Sequence, residues 1–300
     1  MRESRASSPL PAIAVVAAGI ATFSAMDGVI KSAAMVVGVY TALLLRNVFG
    51  TLLVLPVWLA GKPTWPRREA LALHFLRSAV NTGMAWLFFI GLLRTPMAEA
   101  MAISFIAPLI ALYLAAAFLK EKVRRSAIIG SLLGLGGVLV IVAGRLGSAA
   151  PDPEALTGVL AVLASATLYA VNLVLQRKQA TQAGPVEITL FQNLIIALLL
   201  SVGAPWLLVS PPPATLAQIG LGAFLAAVAL GLLAWGYARA EAQVLVPIEY
   251  TGFIWAALFG WLVFDEPVGL ATVAGCVLIV TGCWIATRRL APQHTEQTTA

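Results

Sequence analysis

Hydrophobic residues along this chain occur in long runs that are separated by short polar segments. About 20 consecutive apolar residues are needed for a helix to cross the hydrocarbon core of a bilayer. By this measure the pattern predicts ten transmembrane helices with short connections and no separate soluble domain. The predicted spans cover residues 10–30, 37–60, 71–93, 97–119, 126–144, 155–176, 186–209, 214–238, 244–264 and 268–287.

The pattern also repeats: many positions match without a gap when the chain is shifted by 145 residues. The matched pairs include Leu87 with Leu232, Gly91 with Gly236, Arg94 with Arg239, Asp27 with Asn172, and Glu121 with Glu266. Each copy holds five predicted spans, and an odd number gives two consecutive copies opposite orientations in the membrane. We therefore predict two inverted repeats, residues 10–146 and 155–289, followed by a disordered cytoplasmic tail at 290–300. Inverted repeats are typical of secondary transporters, which bind substrate where the halves meet.

Composition supports a membrane protein, since 60% of the residues are hydrophobic and 11% are charged, against roughly a quarter charged in soluble domains. The fold class predicted is all-α and integral to the membrane. The net charge of +6 is explained by topology, because cytoplasmic loops carry an excess of Lys and Arg. With the N-terminus in the cytoplasm, fourteen basic residues fall on the inner side. The outer side receives Lys31, Arg94 and Arg145. We expect both termini in the cytoplasm, an inner-membrane location and no nucleic-acid partner.

Several other classes lack their motifs. The sequence has no P-loop, no His-Glu-x-x-His and no Gly-x-Ser-x-Gly, and Asp27 is the only aspartate inside a predicted span. We therefore expect no enzyme, no metal and no cofactor. The apolar run after Arg2 and Arg5 matches the sixth span, so we expect it to remain as a helix rather than to be removed as a signal peptide. Cys276 and Cys283 lie about 10 Å apart on one helix, too far for a disulfide.

Charged residues inside the spans are expected to pair with each other or to face an aqueous cavity. The predicted topology places Asp27, Arg46 and Glu99 in a layer toward the outer face. His74, Arg77, Glu187 and Glu249 form a second layer toward the inner face. One hypothesis is that these groups gate the protein or bind a charged substrate. The other is static neutralisation, of Asp27 or Glu99 by Arg46 and of Glu249 by Arg77.

Polar side chains on the repeat-related first and sixth helices favour a shared central cavity. Arg46 or Arg77 is suited to a substrate carboxylate, and a glutamate to an amino group; whether Glu99 or Glu249 also carries a coupling proton stays open. Pro108 and Pro247 interrupt matching helices and are candidate hinges. The glycines of the fifth and tenth helices serve packing within the chain or a dimer face. The predicted binding or gating residues are Asp27, Arg46, Asn47, Arg77, Asn81, Glu99, Tyr169, Asn172, Gln192, Asn193 and Glu249.

Several segments resemble the EamA type of the drug/metabolite transporter superfamily over residues 10 to 290. They are residues 92–100, Leu-Leu-Arg-Thr-Pro-Met-Ala-Glu-Ala, then Phe-Ile-Ala-Pro-Leu at 105–109, Lys-Glu-Lys at 120–122 and Phe-Asp-Glu-Pro at 264–267. The resemblance implies a basket of ten helices around a central cavity, with the fifth and tenth helices peripheral and alternating access between the halves. The second copy departs from the first, with Gln192 and Gly222 in place of Arg46 and Arg77.

Members of this family export amino acids, YddG-type aromatic amino-acid exporters among them, or take up metabolites such as riboflavin or S-adenosylmethionine. We expect a secondary transporter of small molecules, with amino-acid export favoured and uptake of a vitamin or cofactor as the alternative. From a different class, a lipid flippase or scramblase stays open. The expected partners are a small-molecule substrate and the lipid bilayer, with the protein as a monomer or homodimer.

Overall fold

A computed structural model describes residues 10–62, 65–119, 125–146, 153–239, 245 and 248–287. The regular structure within these ranges is entirely helical. We number its helices α1 Leu10–Ala60, α2 Arg68–Leu92, α3 Met97–Ser104, α4 Ala107–Leu119, α5 Arg125–Leu146, α6 Pro153–Ala180, α7 Pro185–Ser201, α8 Ala204–Leu207, α9 Pro213–Tyr237, α10 Gly252–Phe264 and α11 Leu270–Thr287. The tail at 290–300 and the predicted hinge at Pro247 lie outside the described residues.

Helix α1 is two membrane spans joined at Gly38. It has 51 residues, far more than the roughly 20 that one span needs. Gly38 interrupts the helix with φ 77° and ψ 159°, a conformation that only glycine adopts without strain. The first span therefore continues beyond its predicted end at residue 30. This corrects the position of Lys31, which lies inside the helix and is buried, not in an outer loop.

The lengths of the helices agree with a multi-pass membrane protein. Four described segments are long and apolar enough to cross a membrane: Leu10–Ala60, Arg68–Leu92, Leu156–Gln176 and Pro213–Tyr237. Five shorter apolar helices accompany them, at Met97–Ala111, Ile128–Gly144, Pro185–Ser201, Gly252–Phe264 and Leu270–Ile285. Because α1 contains two spans, these helices fit the ten spans that the hydrophobic pattern predicts.

The fourth predicted span is broken in the middle. Helix α3 ends at Ser104 and α4 begins at Ala107, so Phe105 and Ile106 form a turn just before Pro108. Proline has no N–H to donate to the carbonyl four residues earlier, which explains an interruption at this place. The backbone oxygen of Phe105 lies 3.2 Å from Cys283 Sγ of α11. The helix is thus interrupted just before Pro108, and the role of Pro108 as a hinge stays a prediction.

Helix packing is dominated by three pairs. Helix α1 packs most extensively on α9, α5 on α11, and α2 on α6. The α5–α11 pair approaches closely at glycines: a Cβ atom at Gly137 would meet the backbone of Gly275, and one at Gly282 would meet the backbone of Gly130. These glycines therefore serve contacts within the chain, which is the first of the two roles that the sequence left open for them.

Candidate functional site

Arg77 is the cation at the centre of the α2–α6 interface. It is 6% exposed. Its Nε donates to Asn172 Oδ1 at 2.9 Å, and its NH1 donates to Gln179 Oε1 at 2.5 Å. Both partners lie on α6 and are neutral amides. The guanidinium is thus held in place while its positive charge is not neutralised by either partner.

Gln179 continues these contacts toward the start of α2. Its amide nitrogen lies 2.5 Å from His74 Nδ1, and His74 Nε2 lies 3.1 Å from Glu187 Oε1 of α7. His74 is fully buried and stacks on Phe191, with ring centroids 5.1 Å apart. Gln179 was not predicted, because it follows the basic pair at 177–178 and lies beyond the predicted end of the span at residue 176. The signal that identifies it is its spacing of seven residues from Asn172, which puts both on one helix face.

Tyr169 and Glu249 extend the site beyond Arg77 and its amide partners. Tyr169, two turns before Gln176 on α6, is 36% exposed, and its hydroxyl lies within electrostatic reach of both Arg77 and Glu249. Glu249 is exposed and accepts a hydrogen bond from the Tyr237 hydroxyl of α9. The structure therefore brings together four of the predicted residues, Arg77, Asn172, Tyr169 and Glu249.

Three buried oxygen atoms have no hydrogen-bond partner in the described part of the chain: Ser24 Oγ, Asn47 Oδ1 and Asn81 Oδ1. Their residues are 5% exposed or less. Buried polar atoms in folded proteins are almost always hydrogen-bonded, so such oxygens are positions where a ligand or water is expected to bind. Asn81 lies one helical turn after Arg77 on α2, on the same face.

The predicted outer layer, Asp27, Arg46 and Glu99, is less connected. Arg46 NH1 lies 3.6 Å from Met26 Sδ, and the charge of Arg46 acts on the neighbouring Asp27. Asn47 donates to the backbone oxygen of Leu43 at 2.7 Å. Glu99, in the first turn of α3, is 3% exposed. Within the described residues, no ion pair within 4 Å joins Arg46 to Asp27.

Helix α7 contributes the other two predicted residues. Asn193 donates to Thr189 O at 2.9 Å and lies against the backbone of Gly50 on α1. Gln192 is half-buried beside it. These residues stand near Asn47 on α1, since Gly50 follows Asn47 by one turn of the same helix.

An ion pair between Lys31 and Glu266 was not predicted. Lys31 Nζ donates to Glu266 Oε1 and lies 3.4 Å from Thr95 O and 4.7 Å from the ring centre of Phe264. Glu266 Oε2 also accepts the backbone N–H of Met97, at 2.8 Å. This Lys31–Glu266 pair ties α1, the start of α3 and the end of α10 together. A cavity of about 490 Å³ borders it, lined also by Arg94 and Asp265.

The hypothesis of static neutralisation fails for Arg77. Its described partners are the amides of Asn172 and Gln179, and Glu249 is bonded to Tyr237 instead. For Arg46 the structure gives an electrostatic interaction with Asp27 without direct contact. Lys31, in contrast, is neutralised by direct contact with Glu266, although the sequence pattern had placed it in a loop.

Comparison with known proteins also indicates a membrane transporter. The model of the EamA-like transporter family matches residues 10–143 and 156–288. The pseudopaline exporter CntI of Pseudomonas aeruginosa is 28% identical over 87% of this chain and 90% of its own. The aromatic amino acid exporter YddG of Ancylobacter novellus is 28% identical over 68% and 72%. The S-adenosylmethionine uptake transporter of Rickettsia bellii is 28% identical over 78% and 79%.

Solved structures are also similar in fold, among them a crystal structure. It superimposes with a TM-score of 0.64 at 23% sequence identity, over 94% of this chain and 99% of that chain. The likeness extends over almost the whole of both molecules, so the arrangement of helices described above is one that a crystal structure also contains.

Proposed function

Because this chain belongs to the EamA-like transporter family, we propose that it exports amino acids, aromatic ones included, across the inner membrane by alternating access. The protein is a multi-pass membrane transporter of the drug/metabolite superfamily. The substrate class and the direction are our proposal. The substrate class rests on the chemistry of the groups around Arg77, and the direction rests on the exporters among the relatives.

The observation that carries the proposal is the pairing of Arg77 with Asn81 on one face of α2. Arg77 is a buried cation with neutral partners, and a guanidinium binds carboxylates through paired N–H donors. Asn81 Oδ1 is a buried acceptor with no partner in the described chain, suited to an ammonium group one helical turn away. An α-amino acid carries both groups on its α-carbon. Tyr169 offers an aromatic face beside them.

Alternating access requires two halves that move against each other, and equivalent contacts in both halves support this. Gly91 of α2 packs against Val162 of α6, and its repeat mate Gly236 of α9 packs against Val16 of α1. Likewise the α2–α6 contact has its equivalent in the α9–α1 contact. We propose that residues 10–146 and 155–289 are these halves, inverted in the membrane, with both termini in the cytoplasm and with Pro108 and Pro247 as hinges.

The proposed site combines the group around Arg77 with the outer layer around Arg46. Asn47, Gln192 and Asn193 offer amide groups there, and Asp27 and Glu99 offer carboxylates. In this proposal the outer layer meets the substrate after the halves have moved.

Counterflow into proteoliposomes tests the proposal. Vesicles loaded with an unlabelled amino acid are diluted into a labelled one, and protein-dependent accumulation is measured for a panel of amino acids, riboflavin and S-adenosylmethionine. We expect accumulation of aromatic or other apolar amino acids. Equal accumulation with and without protein for every amino acid would rule out the substrate class. A fluorescent phospholipid in the same vesicles tests for lipid flipping, where we expect no protein-dependent movement.

Uptake of a cofactor is the second candidate. S-adenosylmethionine also carries an α-amino-acid head group, which fits Arg77 and Asn81 equally well, and one relative bears the name of its uptake transporter. The two candidates separate in the same panel: counterflow of S-adenosylmethionine without any proteinogenic amino acid would favour uptake of the cofactor.

A further inference from the structure

A continuous chain of hydrogen bonds runs from Glu187 through His74 and Gln179 to Arg77. The guanidinium of Arg77 determines which group donates and which accepts in each of these hydrogen bonds. A guanidinium has five N–H donors and no acceptor, so Gln179 must present its carbonyl oxygen to Arg77. The amide NH₂ of Gln179 then faces His74 Nδ1, 2.5 Å away.

This orientation also fixes the state of the imidazole. An amide NH₂ is a donor only, so Nδ1 of His74 has to accept. In the neutral ring the proton therefore lies on Nε2, which donates to the Glu187 carboxylate at 3.1 Å. As long as Gln179 is bonded to Arg77, a second ring proton would place two donors against each other.

We propose that His74 is a proton-binding site whose occupation releases Arg77 from Gln179. A proton taken from water onto Nδ1 gives an imidazolium in which both ring nitrogens donate. Gln179 then has to turn its amide so that Oε1 accepts from Nδ1. The turn points its NH₂ at Arg77 NH1, and two donors cannot bond. Protonation of His74 and the Arg77–Gln179 hydrogen bond therefore exclude each other.

The surroundings of the ring suit this role. Among the described residues, the charged groups that face it are Glu187 from α7 and Arg77 from α2 itself, while α6 contributes the neutral Gln179. Arg77 opposes a second positive charge, and the Glu187 carboxylate in direct contact offsets it. The Glu187 side chain is 22% exposed and follows the exposed turn at 181–184, so it connects the buried ring with the surface. Histidine is also the side chain whose charge ordinarily changes between about pH 5 and 8.

The consequence for transport rests on the proposed function. If Arg77 binds the substrate carboxylate, release from Gln179 makes NH1 available for a bidentate pair. The proton on His74 and the carboxylate on Arg77 then favour each other, and by linkage each raises the affinity for the other. Acidification on the side of Glu187 is expected to tighten substrate binding.

The proton site can be tested without any substrate. The chain has two histidines, His74 and His294, so His294→Gln leaves a single imidazole for nitrogen-15 NMR of the purified protein in nanodiscs. We expect the neutral ring to be the Nε2–H tautomer. Gln179→Met removes the opposing donor and should raise the ratio of charged to neutral His74 at pH 6 about tenfold, the effect of one hydrogen bond.

Gln182→Met is the matched control, because it removes an exposed glutamine amide three residues further along and should leave the ratio unchanged. A neutral Nδ1–H tautomer would overturn the proposal, and this measurement needs no substitution inside the network. Equal ratios in Gln179→Met and Gln182→Met would overturn it as well.

The link to transport is tested separately. For an amino acid that the protein transports, we expect the apparent KM to be about tenfold lower at pH 6 than at pH 8, and His74→Gln to remove that difference. A pH-independent KM in the wild type, together with transport, overturns the release of Arg77 by the proton. Absence of amino-acid transport overturns the proposed function and leaves the NMR result to decide the proton site.

Discussion

Two buried cations of this protein are held in opposite ways. Lys31 has an ionised partner, Glu266, together with the oxygen of Thr95 and the ring of Phe264. Arg77 has two neutral amides, Asn172 and Gln179. A buried charge pair is costly to open, because either partner alone is left uncompensated. An amide can be exchanged for another acceptor at little cost. Lys31 is therefore suited to fastening helices, and Arg77 to binding something that arrives and leaves.

The largest effect that tests this contrast is expected from breaking the Lys31–Glu266 pair. Glu266→Gln should lower the free energy of unfolding by about 3 kcal/mol, because Lys31 would remain buried without a counter-charge. Thermal unfolding of the purified protein in detergent measures it. The double variant Lys31→Met, Glu266→Gln should recover most of the loss.

The neighbouring Asp265→Asn is the control for that experiment. Asp265 has φ 52°, a left-handed conformation that asparagine tolerates, and its side chain is exposed. We expect a change of less than about 0.5 kcal/mol. A loss as large as that of Glu266→Gln would show that the loop as a whole, and not the ion pair, is responsible.

Substitution of Arg77 should affect the rate of transport more than the free energy of unfolding. Arg77→Lys keeps the charge but cannot reproduce the forked geometry that reaches Asn172 and Gln179. We expect kcat/KM to fall by about 10- to 100-fold, as for the loss of one hydrogen bond to a charged group. Arg239→Lys serves as the control, since Arg239 is exposed and lies over the Trp235 ring. Equal kcat/KM in both variants would contradict a substrate-binding role for Arg77.

Substitution of Glu249, near Arg77, is expected to have a smaller effect on transport. Glu249→Gln preserves an acceptor for the Tyr237 hydroxyl and removes the negative charge that the sequence pattern predicts to gate the protein or to meet a substrate amino group. A fall in transport of about tenfold, with unchanged expression, is expected. The exposed Glu69→Gln at the start of α2 should transport normally. Wild-type rates in Glu249→Gln would remove Glu249 from the site.

The contrast between the two cations also separates what the sequence predicted from what it could not. Hydropathy predicted the spans, and helical spacing put Tyr169 and Asn172 on one face of the sixth span. The partner of Lys31 is 235 residues away, and no local pattern connects the two. The first span was also predicted to end at residue 30, because Lys31 was counted as a loop charge. In the structure the helix continues to Gly38. The partner of Lys31 and the length of the first span both depend on burial by helices that are distant along the chain.

Gln179 shows the same limit at closer range. It stands after two basic residues, a composition that ends a span when read along the chain. In three dimensions it lies beneath α2, where His74 and Arg77 enclose its amide. The information that it belongs to the site lies in its helical spacing from Asn172, and this spacing becomes decisive once the α2–α6 contact is known.

The smallest expected effect tests whether the Phe264 ring helps to hold Lys31. Phe264→Leu keeps an apolar side chain and removes the ring that lies 4.7 Å from Lys31 Nζ. A cation–π contact contributes about 0.5 to 1 kcal/mol at a partly exposed site, so we expect a loss of stability in that range. The same substitution in the Lys31→Met background should cost less, because only the change in packing remains. A double-mutant cycle of thermal unfolding measures the difference. An equal loss in both backgrounds would mean that Phe264 only fills space, leaving Glu266 and Thr95 O as the groups that hold the lysine.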